Sequence, residues 1–230
     1  PADLDSWGWR IPFFVGAGLA GSIWIARTSM QESPDFERQR NEGTAPKHPL
    51  RYTLAHHRKG IFRSFAISAL GSITYYVGIT YVPAFLTSAG ALSERAALWL
   101  STLAAIVVIL VTPLVGLLCD RWGRKPALVS LSLASAVLPI TLFSLMASGS
   151  AWRALAGAVA LAAVAGGVSA VGAVATAEQF PGEGRLSGLA LGTTTATAIF
   201  GGLTPWLAQL LVERTGWPVM PGVMIAVVGL

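Results

Sequence analysis

The chain has 230 residues, of which 53% are hydrophobic and only 12% charged, where a soluble domain carries about 25% charge. With a mean hydropathy of +0.62 and a single cysteine, Cys119, it is neither disordered, nor disulfide-stapled, nor built on a multi-cysteine metal site. The net charge of +5 does not point to nucleic acid, because the basic residues sit between apolar blocks, the pattern of a membrane protein.

A helix that crosses the hydrocarbon core takes about 20 apolar residues. The first candidate is 11–26, slightly short unless Trp9 and Arg10 stand in the interface. Residues 29–60 break the apolar pattern with Pro34, Gly43, Pro46, Pro49 and much of the charge, which predicts a cytoplasmic connector. Residues 65–89 hold no charge, 96–119 stop at Asp120, and 127–151 enclose Pro139. Residues 154–177 are almost entirely Ala, Val and Gly, and 186–212 lie between Arg185 and Glu213. A last apolar run, 217–230, is too short to count as a span. The pattern predicts an all-α membrane protein with six spans and a truncated seventh. Because it opens on Pro1 and closes inside an apolar run, the expectation is a piece of a longer polypeptide.

Orientation follows from Lys and Arg in the loops. Eight of the sixteen fall between Arg27 and Arg63, and Arg121, Arg124, Lys125 and Arg185 join them on the same side. Only Arg10, Arg95, Arg153 and Arg214 fall on the other, which puts 29–60 in the cytoplasm and Pro1 outside. One long connector between helical groups is what a duplicated transporter has at its midpoint.

The most specific stretch is Gly116-Leu117-Leu118-Cys119-Asp120-Arg121-Trp122-Gly123-Arg124-Lys125-Pro126, at a span boundary. Gly123 permits a left-handed turn there, and Pro126 is suited to start the next helix. The stretch resembles the GxxxDRxGRR/K loop of the major facilitator superfamily, in the copy carried by the C-terminal half. Glu178-Gln179-Phe180-Pro181-Gly182-Glu183-Gly184-Arg185 resembles its ExxPxxxR segment between helices 10 and 11. Gly8-Trp9-Arg10-Ile11-Pro12-Phe13 and Glu32-Ser33-Pro34-Asp35-Phe36 bracket the first span as helix 6 is bracketed in the metabolite:proton symporter family. Thr74-Tyr75-Tyr76 and Tyr81-Val82-Pro83 are similar to helix 7 of that family.

The resemblance implies the major facilitator fold. Residues 1–28 would be helix 6 of the N-terminal half, 29–60 the connector, and 61–230 helices 7 to 12 with the last truncated. It also implies a secondary transporter in the bacterial cytoplasmic (inner) membrane, working by alternating access with proton symport. The solute would be a small organic acid or zwitterion, such as a dicarboxylate, proline or betaine. Its partners would be the lipid bilayer and the missing N-terminal half, with no nucleic acid.

By the same resemblance Asp120, Arg121, Gly123, Arg124, Lys125, Glu178 and Arg185 form a conformational latch. Arg124 and Glu178 are the expected partners within the chain, while Asp120 would face helix 5 of the other half. Arg185 serves more as a topology anchor. Uncharged side chains offer a substrate path: Tyr75, Tyr76 and Tyr81 after the connector, and Thr193 and Thr197 on the sixth span. Tyr75 and Tyr76 are adjacent and are not expected on one face, whereas Thr193 and Thr197, four apart, can share one. The threonines serve equally well as back-bonding or interhelical groups, and Gln209 is expected at the outer interface. His56 and His57 fall where a solvated turn is expected.

No charged side chain lies inside the spans, so the proton-carrying carboxylate is expected elsewhere. No Ser/His/Asp set, metal-ligand spacing or phosphate-cradling loop is present, so neither an enzyme nor a cofactor is expected, and H+ is the expected coupling ion. A seven-helix receptor and a non-transporting gene fragment are the alternatives the span count leaves open.

Overall fold

In the computed structural model of the chain the described residues are 6–44, 46, 48–89 and 92–230. Pro1 and Lys47, which enter the orientation argument, lie outside them. The chain forms two compact units, 1–45 and 46–230.

In the first unit a 3-10 turn, Gly8–Arg10, runs into α1, Ile11–Thr28. Pro12 sits in its first turn, where a missing N–H costs nothing. The Arg10 guanidinium lies 4.3 Å from the Trp9 ring centre, the arrangement of an interfacial cation on an aromatic face. A short helix α2, Pro34–Asn41, follows, with the Ser33 hydroxyl accepting the Phe36 N–H at 3.3 Å.

The second unit opens with α3, Pro49–His56, and α4, Arg58–Tyr75. A π-helical turn, Tyr76–Thr80, joins α4 to α5, Val82–Ser88, as one rod of 31 residues. Then come α6, Glu94–Trp122; α7, Arg124–Met146; and α8, Ala151–Ala177. The last long rod, Gly182–Thr215, contains α9, Arg185–Leu189, α10, Thr195–Thr197, and α11, Thr204–Thr215. π turns at Ala190–Thr194 and Ala198–Gly202 separate these pieces. The αL residue Gly216 (φ 69°) ends α11, and α12, Met220–Gly229, follows.

Among the described residues six helices are long and apolar enough to cross a membrane, matching the six apolar blocks of the sequence. Each begins before its block, α4 at Arg58 rather than at 65, while α7 ends at Met146, short of 151. A helix keeps its backbone hydrogen bonds through the interface while long basic side chains reach water.

The composition of α8 explains its place. It packs on α4, α6 and α7, and small residues let three neighbours approach. A methyl group added at Gly166 would stand 3.2 Å from Val108 Cα of α6, and one at Gly167 would stand 3.0 Å from Leu131 of α7. In lipid, where apolar exclusion from water contributes little between helices, such close backbone packing is a main source of association. Remote from α3, the bundle is filled by Phe85, Leu86, Phe143, Met146 and Leu161, with Phe85 and Phe143 edge to face at 5.2 Å.

The connector departs from the expectation of a simple linker. Its second half belongs to the larger unit, and α3 packs on the Gly182–Gly184 turn and on α9. The first half contains α2 of the smaller unit. Proline at the first turn of both α2 and α3 starts these helices rather than breaking them.

Candidate functional site: an ion-paired bundle end and a neutral cavity

The turn between α6 and α7 is made by Gly123, with φ 91° and ψ 161°. This is a positive φ with extended ψ rather than the left-handed helical turn expected, and only glycine adopts it readily. The helix α7 then starts at Arg124, two residues before Pro126. The tight turn sets Asp120, in the last turn of α6, beside Arg124 in the first turn of α7.

Arg124 Nη1 donates to Asp120 Oδ1 at 2.8 Å, and its Nε donates to Glu178 Oε1, at the end of α8, at 3.2 Å. One guanidinium thus joins α6, α7 and α8, spread over two carboxylates rather than forked onto one. Arg124, Asp120 and Glu178 are 36%, 68% and 49% exposed. Pairs this wet are screened by water and hold only weakly, so the cluster orients the helix ends without locking them. Asp120, expected to face another helix outside this chain, is here held by Arg124. Arg121, Lys125 and Arg185 are exposed. Arg185 Nε donates to the Phe180 carbonyl at 3.4 Å, and Lys125 borders a recess of about 570 Å³ together with Arg63, Arg124 and Glu178.

Beside this cluster α3 closes on the loop after α8. The Tyr52 hydroxyl donates to Glu183 Oε2 at 3.2 Å, and its ring stacks on His56 at 4.6 Å. The hydrogen bond to the Glu183 carboxylate, helped by burial and by the carboxylate's charge, raises the Tyr52 pKa above the usual phenol value. Thr53 is fully buried. A methyl at Gly184 would stand 3.0 Å from the His57 ring and 3.3 Å from Thr53 Oγ1, so a larger residue there would have to displace the His57 ring by a few tenths of an ångström. His57 is not in a solvated turn: its Nε2 is buried and has no hydrogen-bond partner. Nothing in the sequence links Tyr52 to Glu183, which are 131 residues apart.

Farther along the bundle a cavity of about 280 Å³ opens between α4, α8 and the Gly182–Thr215 rod. Tyr75, Tyr76, Thr193 and Thr197 all border it. The adjacent tyrosines, not expected on one face, both reach it because the cavity wraps round the end of α4 where the backbone widens into a π turn. Their rings meet at 74° with centres 5.5 Å apart.

Tyr81 is not among the lining residues. Past the π turn it is 4% exposed, and its hydroxyl donates to Gln209 Oε1 at 2.8 Å. Gln209 in turn donates to Glu213 at 2.7 Å, so Gln209 works within the bundle rather than only at its outer boundary. A π turn spends one more residue than an α turn and swings the following side chains to another face.

The threonines act between helices. Thr193 accepts from Ser68 at 3.1 Å and shares a 3.1 Å hydrogen bond with Ser64, while Thr197 pairs with Ser72 at 3.0 Å. Ser64, Ser68 and Ser72 recur every fourth residue, a spacing visible in the sequence that marks one face of α4. Among the described residues lining the cavity none is charged, and among all described residues no cluster of His, Cys, Asp or Glu is suited to a metal.

Residues 89–230 match the family model of the Major Facilitator Superfamily. The chain is 32% identical over 236 residues to a proline/betaine transporter of Salmonella typhimurium, covering 97% of this chain and 47% of that protein. It is 28% identical over 232 residues to an ectoine/proline transporter of Corynebacterium glutamicum (96% and 46%). A citrate-proton symporter of Klebsiella pneumoniae is 28% identical over 228 residues (96% and 50%). The chain spans about half the length of these curated relatives. No solved structure matches it. With a family model matching more than half of an all-helical chain of membrane-spanning length, the chain belongs to the major facilitator superfamily.

Proposed function

We propose that this chain is the C-terminal part of a secondary transporter for a small organic acid or zwitterion, driven by proton symport across a bacterial cytoplasmic membrane. In this reading α1 is the last helix of the N-terminal half, and the second unit carries helices 7 to 12. The charge asymmetry of the loops supports a cytoplasmic α3 and a cytoplasmic Asp120–Arg124–Glu178 cluster. The solutes of the relatives support the solute class, and the citrate-proton symporter among them supports H+ as the coupling ion.

The observation that carries the reading is the Arg124 guanidinium shared between Asp120 and Glu178 at the ends of three helices. Alternating access needs contacts at each face that bias one state yet break within each cycle. Exposed ion pairs, weakened by water and salt, meet both requirements. Asp120 is the partner to exchange, since it is the more exposed carboxylate, and Arg124 keeps Glu178 when Asp120 leaves.

The test is solute uptake by the full-length protein. Asp120→Asn and Arg124→Ala should each lower the initial rate about tenfold at unchanged membrane abundance. Full uptake in both variants would remove the latch assignment. Collapsing the proton gradient with a protonophore should abolish accumulation, and accumulation that persists would remove proton coupling.

A further inference from the structure

We propose that the cavity between α4, α8 and the Gly182–Thr215 rod receives the ammonium end of a zwitterionic solute, seated in the corner made by Tyr75 and Tyr76. This rests on the transport reading above and narrows its substrate class. Two phenol rings at 74° with centres 5.5 Å apart are two adjoining walls of an aromatic cage. Ring faces carry negative electrostatic potential and attract a poorly hydrated alkylammonium within about 6 Å. Tyr75 is 44% exposed, which leaves ring surface for a ligand. Tyr76 is held from behind, its ring carbon 2.7 Å from where a Cβ at Gly201 would stand. That packing fixes one wall of the corner.

The remaining chemistry selects for charge type. The cavity is lined by hydroxyls, aromatic rings and apolar groups, and none of its lining residues is charged. Arg63, Arg124 and Lys125 border the separate recess beside Glu178. Arg63 precedes Tyr75 by twelve residues on one helix, about 18 Å at 1.5 Å per residue. A di- or tricarboxylate placed at the tyrosines would lose water with no cation from this wall to offset it, and buried unpaired charge is costly. A zwitterion brings its own counter-charge, and its carboxylate can point away from the corner. The volume, about 280 Å³, lies near the small end of the roughly 300–1,000 Å³ usual for small-molecule sites. That size favours a compact solute.

The experiment uses the full-length protein in proteoliposomes, with equilibrium binding and uptake of radiolabelled trimethylglycine measured separately. The competitors are its uncharged-headgroup isostere 3,3-dimethylbutanoate, citrate and 2-oxoglutarate. Trimethylglycine should bind at least tenfold more tightly than 3,3-dimethylbutanoate, which keeps the carboxylate and shape but lacks the cation. Tyr75→Leu should raise the Kd and KM for trimethylglycine about tenfold with kcat little changed, and Tyr75→Phe should keep both, since the ring and not its hydroxyl makes the contact. Saturable uptake of citrate or 2-oxoglutarate that trimethylglycine does not inhibit would overturn the substrate class and leave the transport reading standing. Trimethylglycine binding without flux of any solute would uphold the site and overturn transport. Unchanged trimethylglycine affinity in Tyr75→Leu would overturn the tyrosine corner.

Discussion

At the scale of single residues, Gly123 and Tyr52 carry the most local consequence. Gly123 holds φ 91° and ψ 161°, a region essentially closed to side-chain-bearing residues at a cost of about 1–3 kcal/mol. Gly123→Ala should therefore lower the melting temperature of the purified protein by several degrees and loosen the Asp120–Arg124 contact. An unchanged melting curve would mean the turn relaxes freely. Tyr52 has its pKa raised by donating to Glu183. Its contribution to docking α3 is therefore complete below the unfolded phenol value of about 10 and is lost as pH climbs through the raised folded value. Amide exchange in residues 49–57 should accelerate above about pH 10. Tyr52→Phe should exchange faster at neutral pH and lose that pH step; a step that survives in Tyr52→Phe would assign it to another group. The motif residues were legible one by one because a charged turn between apolar blocks stands out in sequence. Tyr52 and Glu183 were not, since neither belongs to a periodic pattern and only folding brings them together.

At the scale of elements, spans are the easiest objects to read. Lipid offers no hydrogen bonds to the backbone, so each crossing must be one long apolar helix, and six such helices stand where six apolar blocks were read. What the sequence concealed is where those helices depart from α geometry. The π turn at Tyr76–Thr80 parts Tyr81 from Tyr75 and Tyr76, and an ideal 3.6-residue period gives no warning of it. Gly188 and Gly192, four residues apart, have the spacing of a close-approach face, and the packing gives it a partner. A methyl at Gly192 would stand 2.9 Å from the Ile61 carbonyl and from Ser64 Cβ on α4. Gly192→Ala should force those helices apart at about 1–3 kcal/mol, the usual cost of overpacking, and weaken the Ser64–Thr193 bond. The check is thermal unfolding of the full-length protein, where an unchanged melting temperature would mean that the helices already stand clear of a methyl group.

At the scale of the whole molecule, the division at 45/46 cuts through what composition alone marks as one linker. Proline, glycine and charge made 29–60 look uniform, because composition registers polarity and not docking. The buried Thr53 and the Tyr52–Glu183 bond place α3 in the larger unit. Trypsin acting on inside-out vesicles of the full-length protein should cut after Arg38 and Arg40 sooner than after Arg51. Equal rates at all three would mean that α3 is not docked in the membrane.

The shared guanidinium of Arg124 has a consequence for the sequence of events during an opening. A cation with one carboxylate is stranded when that carboxylate departs, and the barrier then includes the full loss of the pair. A cation with two carboxylates on different helices is never stranded. It hands over one while keeping the other, as a climber moves one hold at a time. In the transport cycle proposed above, opening at this end of the bundle would be an exchange between neighbours rather than the loss of a lone pair.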